Sequence, residues 1–117
     1  MSNKLQQTFE DVKVLLNAMI NDRAVPRNIK RIAQRGIDEI DKIESEGESP
    51  AVVASNIMYM VDDLSQDPNC PFHTRTTLYR ILSLLEKIKD WNGFLKPEYE
   101  ARKKFQQGNL ESENVNK

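Results

Sequence analysis

The sequence predicts an all-α protein: an antiparallel up-down four-helix bundle made of two duplicated helical hairpins. Three observations carry that expectation. Apolar residues recur every three or four positions in four blocks, the few Gly (4) and Pro (5) stand between the blocks, and the chain resembles itself at a shift of 45 residues. A chain of 117 residues suffices for one modest core and not for two independent ones.

In KLQQTFEDVKVLLNAMIN the stripe Leu5, Phe9, Val12, Leu16, Met19, widened by Leu15 and Ile20, predicts a first helix over about 5–21. The second, over about 26–46, opens with Pro26 in its first turn. It carries Ile29, Ile32, Ala33, Ile37, Ile40 and Ile43, and meets Gly47 as a stop. Gly36 lies on this stripe at a cost of about 1 kcal/mol relative to Ala, which argues for a close neighbour there. Ser49 before Pro50 reads as an N-cap for a third helix ending near 66, striped by Val53, Ile57, Met60, Val61 and Leu64. A fourth begins at about Pro71, carries Leu78, Ile81, Leu82, Leu85 and Ile88, and reaches Trp91 before Asn92-Gly93 breaks it. The bundle domain is thus expected over 1–93. Residues 94–117 read as a C-terminal extension, with a short helix around Phe94, Leu95, Tyr99 and Phe105 and then a polar, aperiodic end expected to be disordered.

The 45-residue shift carries Asp22 onto Asp67, Pro26 onto Pro71, Lys30 onto Arg75, Arg35 onto Arg80 and Lys42 onto Lys87. It also aligns Val12, Leu16 and Met19 with Ile57, Val61 and Leu64. Any two amphipathic helices slid into phase match their apolar positions, but not their Asp, Pro and Lys as well, so a duplicated hairpin is the expectation. Two copies are too few for a stacked solenoid, and short connections place sequential helices side by side, which gives the bundle.

Chemistry is sparse. The loop DPNCPFHTR (67–75) holds Cys70 and His73, the chain's only Cys and only His. Zinc takes four ligands, and only a carboxylate such as Asp67 could assist this pair, so no metal or cofactor is expected. A nucleophilic role would need His73 to lower the Cys70 pKa. Against it, the repeat places Cys70 on Val25 and His73 on Asn28, so the first copy uses an aliphatic residue where the second uses the thiol. Asp62 and Asp63, adjacent on a helix, point about 100 degrees apart and suit a solvated end better than a general-acid pair. Tyr59 and Tyr79 read as half-buried packing residues. Without a phosphate loop or a serine elbow, a non-enzymatic protein is expected, and no catalytic residue is assigned.

The charges are more informative. Seventeen Lys and Arg against eighteen Asp and Glu leave a net charge of −1, so no global field draws the protein to nucleic acid or membrane. Locally, residues 23–35 hold Arg23, Arg27, Lys30, Arg31 and Arg35 with no acid, whereas 38–48 hold six acids against Lys42. This order opposes the helix dipole, which favours acids first. Either contacts to Glu10, Asp11 or the acids of the third helix neutralise a merely solvated face, or the run is a basic edge for an acidic partner.

The runs VPRNIKR and LSQDPNCPFHTRTTLYRILSLLE also resemble the signature segments of a small archaeal family catalogued as uncharacterised protein family 0147. The similarity covers roughly residues 8 to 90 and centres on Asp67, Pro68, Asn69, Pro71, His73, Arg75 and Thr76. The resemblance implies an archaeal cytosolic protein with a four-helix bundle of the bromodomain-like group, and implies no activity. Asp67 and Asn69 side chains are expected to satisfy backbone N–H groups of the turn, which leaves His73 and Arg75 without an evident duty.

The functional expectation is a small interaction module that binds a protein or ribonucleoprotein partner through Arg27, Lys30, Arg31 and Arg35, with His73 and Arg75 as further binding residues. The second helix has no aromatic, which places direct RNA binding behind a protein partner. The alternative is an enzyme or small-ligand-binding protein using the loop around Cys70 and His73. No apolar run approaches the roughly 18 residues of a membrane span. The N-terminus lacks the apolar stretch of a signal peptide, and a lone Cys suits a reducing compartment, so a cytoplasmic location is expected.

Overall fold

Leu5, Phe9, Val12, Leu16 and Met19 lie buried along one face of α1 (Asn3–Ile20), as their spacing requires. The computed structural model describes residues 3–92, with side chains to Ile88. Three further helices follow, α2 (Arg27–Ser45), α3 (Pro50–Ser65) and α4 (Phe72–Asn92). Each helix packs against the next, and α1 closes against α4. The four therefore ring a single core, with neighbours running in opposite directions through short connections. The extension expected over 94–117 lies outside the described residues.

On α2 the buried residues are Ile29, Ala33, Gly36, Ile37 and Ile40, while Ile32 and Ile43 are half-buried at the margin of the stripe. Gly36 has the expected close neighbour. A Cβ at this position would stand 3.0 Å from Leu16 Cδ1 on α1, so the glycine leaves room for the Leu16 side chain. The helix stops at Ser45, and Gly47 two residues on has a φ of 68°, the left-handed conformation that glycine adopts without penalty. The Glu46 and Glu48 N–H groups both donate to the Lys42 carbonyl there, at 3.0 and 3.1 Å.

On α3 the periodic reading was one-sided. Met58, placed on no stripe, is fully buried, whereas Met60 is only half-buried. The cause is width: Ala51, Val53, Ala54, Ser55, Ile57, Met58, Val61 and Leu64 are all buried, a broader front than a single stripe follows. Ser49 is the N-cap by position, and its carbonyl accepts from Val53 N–H at 3.0 Å, but its side chain makes no capping hydrogen bond. Pro26 likewise stands just before α2 rather than inside its first turn, as the cap residue.

The two loop-to-helix junctions share one backbone hydrogen-bonding pattern. Asp22 and Asp67 N–H donate to Met19 and Leu64 carbonyls; Val25 and Cys70 N–H donate to Asp22 and Asp67 carbonyls. Ile29 and Lys30 N–H share the Pro26 carbonyl just as Thr74 and Arg75 N–H share that of Pro71. Within each turn the aspartate side chain accepts from the N–H two residues on, Ala24 in the first and Asn69 in the second, both at 2.8 Å. Asn69 thus supplies a backbone N–H, and the side-chain acceptor is the aspartate alone.

Candidate functional site

The two junctions meet at one end of the bundle, because His73 Nε2 stands 2.6 Å from Asp22 Oδ2 across 51 residues of sequence. His73, in the first turn of α4, therefore bridges the second hairpin to the first. The Asp22 carboxyl is held below the ordinary carboxylate range, first by the Ala24 N–H and then by His73. Arg75 turns back onto its own loop, its Nη2 donating to the Asp67 carbonyl at 3.2 Å. Both residues, expected to bind a partner and lacking an evident duty, thus have intramolecular partners.

Cys70 is 6% exposed and Val25, its counterpart, 4%. Burial pushes the thiol up, against an opposing pull from Arg75, so at neutral pH it is a protonated thiol rather than a thiolate nucleophile. The Sγ is 3.7 Å from the Pro71 carbonyl, too far for more than a weak S–H contact. Among the described residues no group of three or more His, Cys, Asp or Glu is placed to hold a metal ion. One cleft of about 40 Å³ lies between α1 and α2 beside Phe9, Lys13 and Asp41, room for a few water molecules. A groove of about 260 Å³ runs between α1 and α4. Neither is lined by Cys70, His73 or the bases of α2.

The basic edge is a different case. Arg23, Arg27, Arg31 and Arg35 are exposed and Lys30 is half-buried. Other cations are engaged: Lys13 reaches Asp41 at 2.8 Å and Lys42 reaches Glu39 at 3.3 Å. No ion pair among the described residues engages Arg27, Arg31 or Arg35. The neutralising contacts considered for them, to Glu10, Asp11 or the acids of α3, are not made. Asp11 instead accepts from Gln7 and Asp62 from Gln66. Lys30 lies near enough to Asp22 to help hold that carboxyl ionised.

Sequence reasoning missed three surface features. Tyr79 is 57% exposed rather than half-buried, and Phe72 is 83% exposed. Seven residues apart, they share the outer stripe of α4. Val14, at 65% exposed, stands beside the α1–α4 groove. The signal for Val14 was available, since a valine outside the apolar stripe of the first helix has no core to enter.

A family model described as Uncharacterised protein family (UPF0147) matches residues 1–88. Among similar proteins, a UPF0147 protein of Saccharolobus islandicus is 44% identical over 77 residues, covering 66% of this chain and 83% of that protein. A UPF0147 protein of Pyrococcus furiosus is 38% identical over 89 residues, covering 76% and 92%. A crystal structure of a protein from the uncharacterised family UPF0147 of Thermoplasma acidophilum aligns with a TM-score of 0.63 at 36% identity, covering 74% of this chain and 98% of that one.

Proposed function

The chain belongs to the uncharacterised protein family UPF0147, and on that footing we propose that it is a non-enzymatic interaction module docking an acidic protein or ribonucleoprotein surface through the basic edge of α2. The observation that carries the reading is the set of unpaired arginines. Arg27, Arg31 and Arg35 recur at four-residue spacing on exposed helix surface and make no ion pair among the described residues. Cations held along one rigid helix steer an acidic partner by their summed field, and the rotamer freedom of these exposed side chains is lost only on binding. Arg is also the residue whose planar fork matches carboxylate and phosphate groups. The free, buried Cys70 suits a reducing, cytoplasmic setting.

His73 and Arg75 enter this reading as positioning groups: they fix the junctions from which α2 and α4 start. The test is charge reversal. Partners recovered from a native lysate with the wild-type chain are expected to be lost, at equal helicity by circular dichroism, with the Arg27→Glu/Arg31→Glu variant. An unchanged partner set would sink the proposal. If RNA carries the interaction, nuclease treatment removes the partners and binding falls steeply with salt, as phosphate contacts require.

A further inference from the structure

The outer stripe of α4 holds two aromatic rings that the fold does not use. Phe72 is 83% exposed and Tyr79 57% exposed, and seven residues of helix set them about 10.5 Å apart and within about 20° of one line. The core takes Leu78, Ile81, Leu85 and Ile88 from the opposite side of the same helix, so the rings leave apolar surface in water that folding does not recover. The charge around them is of one sign. From Phe72 to Leu85 α4 has no acid, while Arg80 beside Tyr79 and Lys87 two turns on are exposed and make no ion pair among the described residues.

Thr76 and Ser83 lie exposed on the same stripe, so hydroxyls separate the rings, and no continuous apolar centre forms of the kind a protein interface buries. Isolated rings among cations suit another ligand. A nucleobase stacks on each ring through its π-face while Arg and Lys meet the phosphates. A duplex keeps its bases stacked on one another, so only an unpaired strand can offer them. The Thr76 and Ser83 hydroxyls supply hydrogen-bond partners for 2′-hydroxyls, which RNA carries and DNA lacks. We propose that this face of α4 binds single-stranded RNA, with Phe72 and Tyr79 each stacking on a nucleobase and Arg80 and Lys87 meeting phosphates.

The path of the strand continues onto α2. Phe72 precedes His73 and Arg23 follows Asp22, so a ring and a cation flank the 2.6 Å contact that joins the hairpins. Arg23 and Arg27 are exposed there. The acids nearby are committed within the chain: Asp22 accepts from Ala24 N–H and meets His73, and Asp67 accepts from Asn69 N–H. Asp11, which shares a groove with Arg80, accepts from Gln7 at 2.9 Å. In using Arg23 and Arg27 the RNA site rests on the reading of α2 as a docking edge, and it gives that edge a partner. The want of aromatics on α2 counted against direct RNA contact, and α4 supplies them at the same end of the bundle.

The test is fluorescence anisotropy of the full chain with a labelled oligouridylate of about 16 nucleotides. The wild type is expected to bind it, with affinity falling steeply as salt rises, and to bind an RNA duplex or an oligodeoxyuridylate of equal length more weakly. Phe72→Ala and Tyr79→Ala are each expected to weaken binding about 5-fold to 100-fold at unchanged circular dichroism, because neither ring is buried. Phe72→Leu keeps apolar bulk without a π-face and is expected to weaken binding too, whereas Phe72→Trp is expected to retain it. Arg80→Gln is expected to lower the slope of log affinity against log salt by about 0.7. A wild type that ignores the RNA, a duplex or DNA strand bound as tightly, or alanine variants that bind as the wild type does would each overturn the proposal. Binding unchanged in Phe72→Leu would mark an apolar face for a protein partner and overturn it as well. The two readings fail separately. If Arg27→Glu/Arg31→Glu loses its lysate partners while the alanine variants keep full RNA affinity, the α2 edge stands and the stacking face falls. If that double variant keeps its lysate partners while the alanine variants lose the RNA, the edge falls and the stacking face stands.

Discussion

At Asp22 one carboxylate accepts the Ala24 N–H of its own turn at 2.8 Å and meets His73 of the other hairpin at 2.6 Å. Its pKa is depressed by these contacts, in that order, below the ordinary value of 3.8. A depressed carboxylate contributes stability that is fully present above its unfolded pKa and is lost as pH falls through the folded one. Asp22→Asn keeps an acceptor for the turn and removes the charge. The wild type is therefore expected to be the more stable of the two above pH 3.8, with the gap closing at lower pH. Urea midpoints from about pH 6 to about pH 2 read this directly, and a gap that persists unchanged to the acid end contradicts the assignment. The identity of the loop residues was half legible. Cys70 could be read as an apolar substitute because the repeat supplied Val25 as its counterpart, and both are buried. The pairing of His73 was not legible, because its partner lies 51 residues away and its counterpart in the repeat, Asn28, gives no cue to a cross-hairpin contact.

Among the elements, α2 carries the clearest conflict between local stability and surface chemistry. Its first turn contains no acid, and Pro26 ahead of it makes no side-chain cap, so the free N–H groups meet Arg27 where a carboxylate would be favourable. Arg27→Glu is accordingly expected to stabilise the bundle by about 0.3–1 kcal/mol, measured by urea unfolding, while the double reversal with Arg31 costs the partner. A loss of stability instead would mean that Arg27 serves the fold. The position of each helix could be read from period and punctuation because one face of α1 and of α2 is buried and the other is not. The same logic failed on α3, where both Val53 and Ala54, and both Ile57 and Met58, are buried as neighbours. A helix covered on a wide front shows little periodicity, and Met60 was chosen where Met58 fills the core.

For the whole molecule, the matched hydrogen bonds at the two junctions make each hairpin a unit that is locally complete but has half a core. Phe9, Ile29, Ile57, Met58, Leu78, Ile81 and Leu85 are its largest fully buried side chains, and they come from both hairpins. A hairpin alone would expose them, with far too little apolar burial to offset the entropy of ordering its helices. The charges add a second dependence. The bases of residues 23–35 lie towards the end where the junctions meet, and the acids of 38–48 lie towards the other, so the polarity of α2 becomes a polarity of the bundle. Residues 46–49, the connection between the hairpins, carry no hydrophobic side chain, and a break there removes no core group. Cleaving the chain after Glu48 is therefore expected to give two pieces that are each largely unstructured by circular dichroism and that recover helicity when mixed at equal concentration, with a midpoint that depends on concentration. If either piece alone unfolds cooperatively with native helicity, its core is self-sufficient, and the closing of two half-cores on each other does not explain the fold.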